Sequence, residues 1–194
     1  MNREEIDPGL EARLRAGDRE AMGRVIKLYL PRVLRAARAS GLSADRAEDI
    51  VQAVFVTFME KVGEFEGRSQ LRTWLFGILY RKLLEAGRRE KRDRQCDDLA
   101  DVEQSRFHAD GTWARPPVLP DEAVYHREIR EHIAACLDGV SQKQRMAFIL
   151  REVEAMATAE ICEILEVTPT NFGVLMHRAR NHVRDCLAEK GIGG

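Results

Sequence analysis

The sequence predicts an all-α protein of two small helical domains joined by a flexible linker, the second domain a helix-turn-helix. Three observations point there. Apolar residues recur at helical spacing over most of the chain, and helix-capping residues stand at the points where that spacing restarts. In the middle, QCDDLADVEQSRFHADGTWARPPVLPDEA loses the periodicity and carries Pro116, Pro117 and Pro120. Near the end a short apolar segment, a three-residue turn and a longer amphipathic segment follow one another. The expected organisation is a first domain over 1–95, a linker over 96–120 and a second domain over 121–194.

In the first domain, Leu10, Leu14, Met22, Val25, Ile26, Tyr29, Val33 and Leu34 mark helical segments broken at Gly17, where Asp18 is placed to cap the next start. Pro31 is expected to kink or reset that helix. After Gly41 and Leu42, Ser43 caps a long helix over Ala44 to Val62, with Ala47, Ile50, Val51, Val54, Phe55, Phe58 and Val62 inside. Asp45, Glu48 and Asp49 lie toward its start, where the helix dipole favours acids. They serve equally as capping chemistry or as half of a docking surface.

The stretch from Phe65 to Arg94 has the most distinctive chemistry. Phe65 to Arg68 reads as a short loop, Ser69 as an N-cap, and Leu71, Trp74, Leu75, Ile78, Leu79 and Leu83 as the buried face of a helix. Beyond Leu84 the apolar face stops. Arg81 to Arg94 carries seven Lys or Arg against three acids, whereas Cys96 to Glu122 carries seven acids against Arg106 and Arg115. Taken singly, Trp74 is a core aromatic and the basic run a solvated helix end. Together, a Phe-bearing loop, a Trp one turn into the helix and a string of cations match the stacking-plus-electrostatic recipe for single-stranded nucleic acid.

In the second domain Val124, Ile129, Ile133 and Leu137 build one helix, and Ser141 caps another containing Met146, Phe148, Ile149 and Leu150. Ala157 to Leu165 forms a third, Glu166-Val167-Thr168 the turn, and Thr168-Pro169 an N-cap followed by a first-turn proline. On the last helix Phe172, Leu175, Met176, Ala179, Val183 and Leu187 share one face, with Thr170, Val174, His177 and Asn181 opposite and Asn171, Arg178 and Arg184 flanking. A polar, cationic second helix after a tight turn is the arrangement that enters a major groove. His177 and His182 also read as plain surface histidines.

Composition limits the alternatives. The chain has 194 residues, 44% hydrophobic and 32% charged, enough for a sizeable core, and a formal net charge of -1 that conceals the uneven distribution above. No apolar run is long enough for a membrane span, and the opening MNREEIDPGL has no apolar signal-peptide core, so a cytoplasmic location is expected. Cys96, Cys136, Cys162 and Cys186 form no CxxC pair, which leads to an expectation of reduced thiols, with Cys162 a small core residue. His132 and Cys136 could share a metal only with a further ligand. No nucleophile–base constellation is evident, and no catalytic residue, metal or cofactor is expected.

These residues resemble a bacterial extracytoplasmic-function sigma factor, the two-domain minimal class of the sigma-70 family, over nearly the whole chain. Ala47 to Phe55 looks like the family's polymerase-binding helix, Leu71 to Ile78 like its promoter-melting segment, and Glu160 to Leu165 with His177 to Arg180 like its C-terminal helix-turn-helix. The resemblance implies a non-enzymatic, dissociable specificity subunit of core RNA polymerase that binds promoter DNA as duplex and as melted non-template strand. It also implies an anti-sigma partner and no direct membrane insertion. Asp49, Gln52 and Phe55 would then meet polymerase; Phe65, Arg68, Ser69, Trp74, Arg81, Arg88 and Arg89 the minus-ten DNA; and Thr170, Asn171, Val174, His177 and Arg178 the minus-thirty-five duplex. The chain departs from the family pattern at Tyr80-Arg81, where Arg-Asn is frequent, at Gly173, and at Glu166, where a turn glycine is usual and a strained backbone is therefore expected. The alternative is a free-standing helix-turn-helix regulator that needs no polymerase core, but it leaves Phe65 to Arg94 without a role.

Overall fold

The computed structural model describes residues 9–93 and 132–192, with side chains described to Arg88 in the first stretch. All regular structure among them is helical: α1 (Leu10–Arg15), α2 (Arg19–Ala39), α3 (Ala44–Lys61), α4 (Leu71–Asp93), α5 (132–136), α6 (Gln142–Phe148), α7 (Thr158–Leu165) and α8 (Pro169–Glu189). The linker, with Phe107 and Trp113, lies outside the described residues, as do Val124 and Ile129.

The helix starts follow from local chemistry. Asp18 accepts from the backbone N–H of Glu20 and Ala21 at 2.9 and 3.2 Å, Ser43 from Arg46 at 3.4 Å, and Thr168 from Asn171 at 3.2 Å. Ser141 and Gln144 form a reciprocal capping box. Ser69 is displaced from its expected place: the carbonyl of Gln70 accepts the first helical bond of α4, from Trp74 N–H at 3.0 Å, so Gln70 is the N-cap. Nor does Pro31 reset α2, which runs through it to Ala39.

α2, α3 and α4 pack on one another around Val25, Val33, Val51, Phe58, Leu71 and Leu79, all buried. In the second half α6, the π-helical turn Ile149–Val153, α7 and α8 enclose Met146, Leu150, Ile161, Leu165 and Phe172. The two sets form one continuous apolar cluster, because α7 lies against α4 and the π turn against α2. The linker is thus not all that connects the halves.

The reduced-thiol expectation also fails at one pair. Cys136 and Cys186, 50 residues apart with Cα atoms at 5.7 Å, form a disulfide beside a small cluster of Leu137 and Val183. Sequence spacing carries no sign of it, since the packing of α5 against α8 creates the proximity. With its sulfur so engaged Cys136 offers no thiolate to a metal shared with His132. Cys162 is free and packs against the main core, as expected.

Candidate polymerase and promoter interface

On α3 the outward row places Asp49 and Gln52 in solvent, beside an open groove lined also by Ala53, Val56, Thr57 and Glu60 of the same helix and by Lys82 of α4. Phe55 does not share that face. It is 6% exposed, with its ring edge-on to Phe58 at 6.4 Å, because position 55 falls on the stripe that also carries Val51 and Phe58. Phe55 is a core residue beneath the docking face.

The loop before α4 likewise differs from expectation. Phe65 is only 6% exposed; its ring stacks on Trp74 at 5.0 Å between centroids, and Trp74 in turn meets Phe58 at 5.9 Å. The backbone turns at Gly67, whose φ of 72° suits glycine. Phe65 is therefore not free to stack on a base in this conformation, and Trp74 is half-buried. What the loop presents is Arg68, with a side chain 84% exposed and paired with Glu66, and the half-buried Ser69. Along α4, Arg81 and Arg88 face solvent, Arg88 donating to the Leu84 carbonyl at 3.4 Å. The side chain of Arg89 is outside those described.

In the second half, α7, the turn at Glu166 to Thr168, and α8 form the helix-turn-helix. Glu166 adopts the left-handed conformation, φ 54° and ψ 54°, the strain expected of a non-glycine residue there. Its turn lets Pro169 open α8 and exposes Thr170, Asn171, Val174 and Arg178 along one face, with His177 half-buried beside them. Arg180 is engaged with Glu152 at 3.1 Å and Arg184 with Asp185 at 2.9 Å, so they contribute less to that face than their sequence positions implied.

Residues that sequence reasoning did not single out tie this unit to α4. The Glu160 carboxylate accepts from Arg72 through both oxygens at 2.8 Å, from the Thr73 hydroxyl at 3.0 Å and from the Ala157 N–H at 2.9 Å. Burial opposes its ionisation, but the Arg72 and backbone hydrogen bonds outweigh that and hold the carboxyl below its ordinary range. On α2, Arg32 donates to the buried Glu154 at 2.8 Å. Tyr80, also buried, has its hydroxyl pushed above the usual phenol range by desolvation and then by Glu166. The sequence signal at Glu160 was only that of a first-turn acid that caps its own helix.

Comparison with known proteins matches this arrangement half by half. The profile for Sigma-70 region 2 covers residues 25–93 and that for Sigma-70, region 4 covers 130–183. A probable RNA polymerase sigma factor of Haemophilus influenzae is 31% identical over 155 residues, 76% of this chain and 79% of the relative. The ECF RNA polymerase sigma factor SigW of Bacillus subtilis is 25% identical over 181 residues, 91% of this chain and 94% of its own length. Among solved structures, CnrH in complex with the cytosolic domain of CnrY has a TM-score of 0.67 at 19% identity, covering 93% of this chain and 96% of CnrH. RpoE in complex with the anti-sigma factor NepR from Bartonella quintana scores 0.65 at 24%, covering 86% and 96%. With both conserved regions matched in order on a helical fold that ends in a helix-turn-helix, the chain belongs to the sigma-70 family of RNA polymerase sigma factors, in its extracytoplasmic-function group.

Proposed function

We propose that the chain acts as a dissociable, non-enzymatic specificity subunit of core RNA polymerase, working in the cytoplasm and restrained by an anti-sigma factor. The first half, 1–95, docks on the core and handles the minus-ten element; the second, 121–194, reads the minus-thirty-five duplex; 96–120 joins them. Support for the restraint comes from the two structural neighbours, each solved with another protein bound, NepR being named an anti-sigma factor. No described helix is long and apolar enough to cross a membrane.

Asp49 and Gln52 supply the polymerase face, with Phe55 as packing beneath it. Arg68 and Ser69 belong to the loop that meets the minus-ten strand, backed by the Phe65–Trp74 stack, and Arg81, Arg88 and Arg89 meet phosphates. The observation that carries the assignment is the exposed row Thr170, Asn171, Val174 and Arg178, at helical spacing on the second helix of the turn motif, with His177 at its edge. A free-standing regulator would need the same row but gives no purpose to a matched region 2.

Paired variants in the assembled holoenzyme test this. Arg178→Ala should weaken binding to minus-thirty-five duplex by about 1–3 kcal/mol and alter its sequence preference, as loss of a base-edge contact does. Arg88→Ala should weaken binding about equally on all sequences and flatten its salt dependence. Unchanged promoter choice and affinity in Arg178→Ala would refute the placement of the recognition face.

A further inference from the structure

The outward row of α8 is polar except at one place. Thr170, Asn171 and Arg178 are exposed on it, and among them Val174 stands 43% exposed, whereas Phe172, Met176, Ala179 and Val183 turn inward and are buried. Among the described residues of α8, Val174 is the one large apolar side chain left exposed. A docking site for another protein asks for a contiguous apolar patch, which a single valine among polar neighbours does not make. Valine is also a weaker helix former than most, and its β-branch holds both methyl groups close to one rotamer, so they are ordered before any contact is made.

Gly173, the preceding residue, is exposed as well, and the rest of the chain gives no reason for it. Glycine inside a helix is less favourable than alanine, yet a Cβ built at 173 would meet nothing within 4 Å, so no neighbouring residue demands its absence. What the missing side chain leaves open is the solvent side, where a helix backbone can come close to a partner. A bare backbone beside a rigid, exposed pair of methyl groups suits a surface that is polar with a small apolar feature set in it. The base edges of the major groove are such a surface: they offer donors and acceptors, and one apolar group, the C5 methyl of thymine.

We propose that Val174 determines specificity by reading a thymine of the minus-thirty-five element through its C5 methyl group, with Gly173 letting α8 seat closely enough for the contact. The proposal rests on the reading of α8 as the minus-thirty-five helix. Asn171, one turn before, and Arg178, one turn after, flank the valine on the row, so the methyl contact lies between side chains suited to adenine and to guanine.

The test uses the full chain assembled with core polymerase. Selection from duplexes randomised across the minus-thirty-five element should yield a thymine at one position with the wild type, and no preference there with Val174→Ser. Replacing that thymine by deoxyuridine, which removes the methyl group alone, should weaken wild-type binding about fourfold, the contribution of one buried methyl group, and leave the binding of Val174→Ser unchanged. Gly173→Ala should raise the melting temperature, because alanine favours the helix, and yet weaken duplex binding; a glycine with no partner would give the first effect alone. The deoxyuridine comparison is made on the wild-type protein, so it decides whatever the variants do to folding. Absence of a selected thymine, wild-type binding indifferent to deoxyuridine at every selected thymine, or a penalty undiminished in Val174→Ser overturns the methyl contact. Gly173→Ala that binds duplex as tightly as the wild type overturns the close approach. Enrichment of no sequence at all by a wild type that binds core would instead overturn the minus-thirty-five reading.

Discussion

Truncating Phe65 separates a packing role from a direct role in base capture. Its ring is 6% exposed and stacks on Trp74 at 5.0 Å, so Phe65→Ala removes a buried aromatic and one side of a ring pair. Large-to-small changes of this kind cost about 3–5 kcal/mol, of which about 0.5–1.5 kcal/mol belongs to the aromatic pairing. Against a total stability of about 5–15 kcal/mol this is a large fraction. With a urea m-value of about 2 kcal/mol/M, the midpoint should fall by roughly 1.5–2.5 M. Phe65→Leu keeps most of the volume and should recover more than half of the loss. Urea unfolding followed by circular dichroism measures both. Permanganate reactivity of promoter thymines, in holoenzyme held below the unfolding range, then shows whether Phe65→Leu still opens DNA. A loss below about 1 kcal/mol in Phe65→Ala, or a stable Phe65→Leu that abolishes the bubble, would refute the reasoning.

Three further outcomes are expected. Glu166→Gly relieves the left-handed strain at φ 54° and should stabilise the chain by about 0.5–1 kcal/mol, the strain relief less the added freedom of glycine in the unfolded state, visible as a higher melting temperature. Reducing Cys136–Cys186, or replacing both by Ser, opens a 50-residue separation and should destabilise the chain by up to about 4 kcal/mol on a chain-entropy basis; equal melting temperatures with and without reductant would contradict the pairing. Because the folded-state pKa of Glu160 is depressed, its stabilising contribution is fully present above the ordinary glutamate value and is lost as pH falls through the depressed one. Scattering from pH 7 downward should therefore show expansion only on the acid side of 4.5, and Glu160→Gln should flatten that dependence.

Most of the helical layout was legible because its signals are local. Asp18, Ser43, Ser141 and Thr168 cap the helices they precede, and the strain anticipated at Glu166 is present. What escaped notice depends on residues far apart in sequence. The local pattern puts Phe65 in a loop, and the resemblance puts Phe55 at an interface, yet Phe65 packs on Trp74 and Phe55 beside Phe58. Ser69 is chemically the better cap, but the loop delivers Gln70 to that position. Cys136 and Cys186 meet only once α8 is packed, and Glu160 reaches Arg72 across 88 positions. A periodic pattern states that a face is apolar, not which element covers it, so the second buried side of α4 had no sequence signature.

The turn between α2 and α3 bears on how such chains can be recombined. Gly41 has φ 81°, and a Cβ there would run into the guanidinium of Arg145, a buried residue of α6 that reaches Asp138 at 3.0 Å. A missing side chain in region 2 is therefore the seat of an arginine in region 4. Exchanging one region for a relative's, with a larger residue at 41 or none to fill the gap at 145, would join two well-formed pieces that no longer fit. Grafting only α7 and α8 leaves this seat intact, whereas an exchange of the whole second half must keep an arginine at 145 or bring its own version of the Gly41 turn.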